Sequence, residues 1–160
     1  MLRPHRQALH ANCMPDLPNR KYLQHGIPAW VDASDAWFIT ICCKERHVNS
    51  LAINTVAECI FDTLKARESM GQVHVISCVI MPDHLHMVAR WNHMTGMSRS
   101  VQNMKRYISR HVGVQWQTGF FDHRIRSDKL LRETIDYIRM NPVRAGLVKS
   151  PEEWHYRWKS

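Results

Sequence analysis

No run of apolar residues in this sequence is long enough to cross a bilayer. The longest, Val75 to Met81 with Ser77 inside it, falls well short of the ~18 residues that a spanning helix needs. The opening stretch MLRPHRQALHANC has no apolar core segment, so it does not read as a secretory signal, and a cytoplasmic protein is expected. There is no C-x-x-C pair. The five cysteines (Cys13, Cys42, Cys43, Cys59 and Cys78) are odd in number and sit mostly in apolar patterns, which argues against disulfides or a zinc cage and for buried free thiols. Neither H-x-H-x-D-H nor H-E-x-x-H occurs, which removes the signatures of two kinds of metallohydrolase. Repeats and low-complexity segments are absent as well. Acid is scarce: 14 Asp and Glu against 22 Lys and Arg give a formal charge of +8, which favours a polyanionic partner such as nucleic acid.

A chain of 160 residues makes one domain around one core. Residues 1–30, rich in Pro, His, Asn and Arg, read as a loosely ordered basic arm, and residues 31–160 as the folded domain. The stretch AWFITICCK (Ala36 to Lys44) is β-branched and aromatic enough for a strand buried on both faces. A helix is expected from about Ser50 to Met70, where Ile53, Val56, Ala57, Ile60, Phe61 and Leu64 recur at three- and four-residue spacing before Gly71. Strands follow at Val73 to Met81 and His84 to Ala89, joined through Pro82-Asp83 as a hairpin near the centre of the sheet. A second helix, capped by Ser98 or Thr95, carries Val101, Met104, Ile108 and Val112 inward and ends at Gly113. WQTGFFDHRIR (Trp116 to Arg126) reads as a glycine-interrupted strand, with Trp116, Phe120 and Phe121 as core or sheet aromatics in preference to base-stacking platforms. The last helix starts at Ser127 as N-cap, turns Leu131, Ile135 and Ile138 inward, and stops near Met140 ahead of Asn141-Pro142. This order of elements predicts an α+β fold, an antiparallel sheet with helices packed on it.

Chemistry gathers at two places. Side chains two apart on a strand share a face, so His84 and His86 stand side by side, either as a metal-binding pair or as donors to a phosphate. On the second helix Tyr107 and His111 are four apart and share a face. If that face lies over the histidine pair, three imidazoles hold a divalent ion and the Tyr107 hydroxyl points at a phosphate bound to it. Taken singly, each residue has an ordinary explanation: a hydrogen-bonded histidine, a packing tyrosine, a charged helix end. Lys105, Arg106, Arg124, Arg126 and Arg144 are the expected phosphate contacts, which position DNA without reading its sequence.

Four blocks, VIMPDHLHMV (Val79 to Val88), MKRYISRHV (Met104 to Val112), WQTGFFDHRIR and YIRMNPVRAGLV (Tyr137 to Val148), resemble in order and spacing the REP-associated tyrosine transposases. These are relatives of the IS200-like, single-tyrosine HUH transposases, named for a His-hydrophobic-His motif. The resemblance runs from Trp37 to Trp154. It implies a ferredoxin-like sheet, the HUH endonuclease fold, and a bacterial cytoplasmic, nucleoid-associated enzyme. Such an enzyme nicks and transfers single-stranded or hairpin DNA at palindromic repeats through a 5′-phosphotyrosine, with Mg²⁺ or Mn²⁺ as cofactor. Carried over, the resemblance makes His84 and His86 metal ligands and Tyr107 the nucleophile. His111 takes the third ligand position, where relatives often place an amide. Three imidazoles by themselves suit Mn, Ni or Zn better than Mg. Monomer and homodimer both remain open. Two rival readings stand beside this one: a non-catalytic repeat-DNA-binding protein on a transposase fold, and a hydrolase that uses metal-bound water.

Overall fold

The computed structural model describes residues 35–159; the arm expected over residues 1–30, Cys13 included, lies outside them. Strand β1 (Ala36–Cys42) leads through helix α1 (Asn54–Ser69) to β2 (Val73–Ile80), and β3 (His84–Trp91) leads through α2 (Met97–Val112) to β4 (Phe121–Ile125). Helix α3 (Asp128–Arg139), one turn of helix α4 (Asn141–Arg144) and a 3₁₀ turn at Pro151–Glu153 follow. The four strands form one antiparallel sheet in the order β2-β3-β1-β4, the ferredoxin-like α+β arrangement.

Each helical crossover spans one intervening strand. The right-handed preference of such crossovers lays α1 and α2 on the same face of the sheet. That face is the larger core. Leu85, Met87, Ala89 and Trp91 of β3 pack there with Val56, Ala57, Ile60 and Leu64 of α1 and with Met97, Val101, Met104 and Ile108 of α2. The opposite face is covered by α3: Phe38, Val79, Val88, Ile125 and Ile138 form a second cluster, against which Leu130, Leu131 and Tyr137 pack.

Several boundaries differ from expectation. Ile53, expected in the buried stripe of α1, is 43% exposed because it stands at the N-cap in an extended conformation, outside the helical repeat. Neither Ser98 nor Thr95 caps α2; the helix starts after Gly96 (φ 74°), a left-handed conformation that suits a residue without Cβ. Ser127 does cap α3, its side chain accepting from the Leu130 N–H, while Ile135 is only half-buried. The expected strand from Trp116 shrinks to β4, with Trp116 making only an isolated bridge to Cys43. The Pro82-Asp83 turn is present, but only β3 is central. β2 lies at an edge, where the C-terminal segment pairs with it through Tyr156 O accepting from Ile80 N–H and Trp158 N–H donating to Cys78 O. The described cysteines are free, and burial pushes the Cys43 thiol up to about 11 and Cys78 up to about 12, so both stay protonated. No helix among the described residues is long and apolar enough to cross a membrane.

Candidate functional site

The alternation of β3 decides where its histidines go. Leu85 and Met87 are drawn into the core under α1 and α2, so His84 and His86 must project from the other face. Their rings stand 4.7 Å apart, edge to face. Each is fixed from behind through Nδ1. His84 Nδ1–H donates to Asp83 Oδ1 at 2.6 Å, and His86 Nδ1–H donates to Thr40 Oγ1 at 2.8 Å in the tautomer that leaves Nε2 bare. Asp83 is itself held by the His47 N–H at 2.7 Å and by Arg46 at 3.1 Å. Burial alone would raise the Asp83 carboxyl, but the His47 N–H, His84 and Arg46 together keep it below its ordinary value. Phe38 stacks on His86 with centroids 5.4 Å apart and limits its tilt.

Both imidazoles are kept neutral. For His84, burial outweighs the upward pull of Asp83. For His86, burial first, then repulsion from His84 were both rings protonated, and the charges of Arg144 and Arg46, push the ring down to about 3. A neutral imidazole is the form that ligates a metal. The sign of the stability effect follows directly. The unfolded His86 takes up a proton below its ordinary 6.5 whereas the folded ring refuses one until about 3, so folding loses stability as pH falls through that window. In chelator, the midpoint of thermal unfolding is expected to drop between pH 7 and pH 5, and His86→Gln to flatten that slope; equal slopes in both proteins would contradict the assignment.

The structure does not bring Tyr107 and His111 to this pair. Helix α2 docks through Met97, Val101, Met104 and Ile108 on the opposite side of the sheet, so the tyrosine and the imidazoles are separated by the sheet itself. Tyr107 is half exposed and stacks on His111 at 3.8 Å, while His111 Nδ1–H donates to the Tyr107 carbonyl. The face expected to cover the histidines instead points elsewhere, because the apolar stripe of α2 matches Leu85 and Met87, not their neighbours. Among the described residues no three of His, Cys, Asp and Glu converge as a metal site, so a three-histidine centre does not form.

The tyrosine on the histidine face is Tyr137, from α3. Its ring centroid lies 6.4 Å from that of His86 and 6.5 Å from that of Phe38. Arg144 reaches back from α4 with its guanidinium carbon 4.3 Å over the Tyr137 ring. The same guanidinium donates to the Tyr137 carbonyl and, at 3.3 Å, to Asn141 Oδ1. Asn141 lies one turn beyond Tyr137, and its Nδ2 is buried without a hydrogen-bond partner, so the carboxamide is incompletely used by the fold. Two neutral imidazoles that can present Nε2 suit a divalent cation, and an amide oxygen such as Asn141 Oδ1, which here accepts from Arg144, is a compatible further donor type. The signal for Tyr137 was present in the sequence as a Tyr-x-x-x-Asn spacing, an amide four positions after the tyrosine, in the block YIRMNPVRAGLV.

The expected phosphate contacts divide. Arg144 belongs to the histidine face. Lys105 is turned to structure, its ammonium donating to Gln117 O and Gly119 O at 2.7 Å each. Arg124 pairs with Asp35 at 2.5 Å, and as the register partner of Trp37 it lies on the α1/α2 side. Arg106 and Arg126 are exposed.

The fold is thus an α+β sandwich whose strand-borne histidine pair shares a sheet face with a helix-borne tyrosine. The sequence profile described as "Transposase IS200 like" matches residues 36–140, and the chain belongs to that family. It is 26% identical to the REP-associated tyrosine transposase of Escherichia coli (strain K12) over 125 residues, 75% of this chain and 73% of that protein. The fold is similar to the solved structure of a REP-associated tyrosine transposase bound to a REP hairpin, with a TM-score of 0.65 at 24% identity, covering 90% of this chain and 82% of that one.

Proposed function

We propose that this protein nicks and rejoins DNA through a covalent tyrosine intermediate, with Tyr137, rather than Tyr107, as nucleophile. The observation that carries the reading is the 6.4 Å approach of the Tyr137 ring to His86 on the sheet face opposite α2. The Tyr137 oxygen attacks phosphorus; the new P–O bond to tyrosine replaces the bond to the 3′-oxygen. The phenolic proton is lost and the departing 3′-oxygen takes one up, leaving a 5′-phosphotyrosine and a free 3′-hydroxyl. No oxidant and no water are consumed, so the same bond energy is retained for joining to another 3′-hydroxyl. Arg144 fixes the tyrosine by its bond to the Tyr137 carbonyl and brings positive charge to the face where the phosphate gathers negative charge.

His84 and His86 would hold a divalent metal, Mg²⁺ or Mn²⁺, with Asn141 as the third donor in place of His111. Bound there, such a cation supplies a Lewis acid for the scissile phosphate. Asp83 and Thr40 contribute by holding each ring in one tautomer and one orientation. Asp83→Asn is therefore expected to weaken Mn²⁺ binding, measured by calorimetry, roughly 10- to 100-fold. An unchanged Kd would mean that the Asp83 contact does not orient a ligand.

The substrate proposed is single-stranded or hairpin DNA. The net charge of +8 supports it, and so does the similar fold that was solved with a REP hairpin. An unpaired flank exposes the attacked phosphate without the cost of melting a duplex. The experiment is denaturing electrophoresis of labelled hairpin DNA, with single-stranded flanks taken from either side of the coding gene, after incubation with Mn²⁺. A label shifted to protein mass, and abolished by chelator, is expected. Cut DNA with no shifted label would favour hydrolysis by metal-bound water.

A further inference from the structure

We propose that Phe121 is a stacking platform for an unpaired base next to the attacked phosphate, an inference that rests on the nuclease reading above. Two adjacent phenylalanines, Phe120 just before β4 and Phe121 at its start, go opposite ways. Phe120 is buried in the main core, whereas Phe121 is 68% exposed. Register fixes the direction of the exposed ring. Phe121 is the partner of Thr40 on β1, and Thr40 is the partner of His86 on β3. Cross-strand partners point to the same face, and Thr40 is bonded to His86 on it. Val79, His86, Thr40 and Phe121 therefore form one row across the sheet, on the face that carries Tyr137.

Two strand spacings separate the chains bearing His86 and Phe121, roughly 10 Å. A base attached to the phosphate at His86, or its neighbour, can be laid across that gap. The position is also on the outer strand of the sheet among the described residues. Two residues on, His123 is exposed on the same face, offering a second ring or a hydrogen-bond donor beside the first. Burial gives this ring no reason to be aromatic. Stacking does, because every base has a π-face and an unpaired one has lost its neighbour in the duplex. Such a platform binds the flank without choosing its sequence, and it favours a single strand over a paired one at the point of attack.

The test uses full-length Tyr137→Phe protein, which leaves the DNA uncut, and hairpins carrying 2-aminopurine at successive flank positions. Quenching of fluorescence on binding is expected at one flank position, from stacking on the ring. Adding Phe121→Ala should abolish that quenching and weaken binding of flanked hairpins roughly 10-fold or more, with blunt hairpins unaffected and the unfolding midpoint unchanged. Phe121→Trp should restore both. Loss of affinity that is equal for blunt and flanked hairpins, or quenching that survives Phe121→Ala, would overturn the proposal. Failure here is separable from failure of the nuclease reading, which shows instead as the absence of a covalent adduct from the wild-type chain.

Discussion

Tyr137→Phe protein is expected to bind flanked hairpin DNA with wild-type affinity and to form no covalent adduct, a loss on the order of 10³-fold or more in nicking rate. Removing one hydroxyl leaves the ring on His86 and Phe38 and keeps the cation–π contact with Arg144, so the packing of the ring is retained. Tyr107→Phe is the matched control. Its hydroxyl belongs to an exposed ring stacked on His111, across the sheet from the imidazoles, and its removal should leave adduct formation within about twofold of wild type. The reverse pattern, with Tyr107→Phe inactive and Tyr137→Phe active, would show that the DNA is attacked on the α2 side.

The second large effect is expected at the histidine pair. His84→Ala and His86→Ala should each lower nicking by roughly 10³-fold, since a metal acting on a phosphoryl oxygen contributes several kcal/mol to transition-state stabilisation. Both should bind Mn²⁺ far more weakly than wild type. The two differ in stability. His86 is 9% exposed and sandwiched against Phe38, so its truncation leaves a cavity and should lower the unfolding midpoint, whereas half-covered His84 should cost less. Comparing each with its Gln counterpart separates lost ligation from lost packing. If either Ala protein keeps wild-type nicking while folded, that residue is not a ligand.

The fold was legible because its signals are periodic. The apolar stripes of α1 and α2, the alternation within β3, and the Ser127 cap all repeat local rules that tertiary packing confirmed. Chain ends of elements were less legible: Ile53 and Gly96 were set by where the loops enter, not by side-chain preference. The histidine pair was legible for the same reason as β3, since period two puts both rings on one face.

Which helix faces them was not a local property. The sequence-based expectation placed Tyr107 over His84 and His86 because it shares a helical face with His111 and matched the nucleophile of the family the sequence resembles. Yet the residues that alternate with the histidines along β3 already carried the answer. Leu85, Met87 and Ala89 are the apolar side, a crossover helix must cover the apolar side, and α2 is a crossover helix. The histidine side was thus left for the helix that follows the last strand, and Tyr137 with Asn141 comes from it. Whether Phe121 is a core aromatic or a stacking platform was undecided for a related reason. Only the register of β4 on β1 tells which of Phe120 and Phe121 joins the core.

The most direct test of this account is to digest the covalent protein–DNA adduct and identify the modified peptide by mass spectrometry. A nucleotide phosphate is expected on Tyr137, within the segment that also contains Asn141. A phosphate on Tyr107 instead would contradict it.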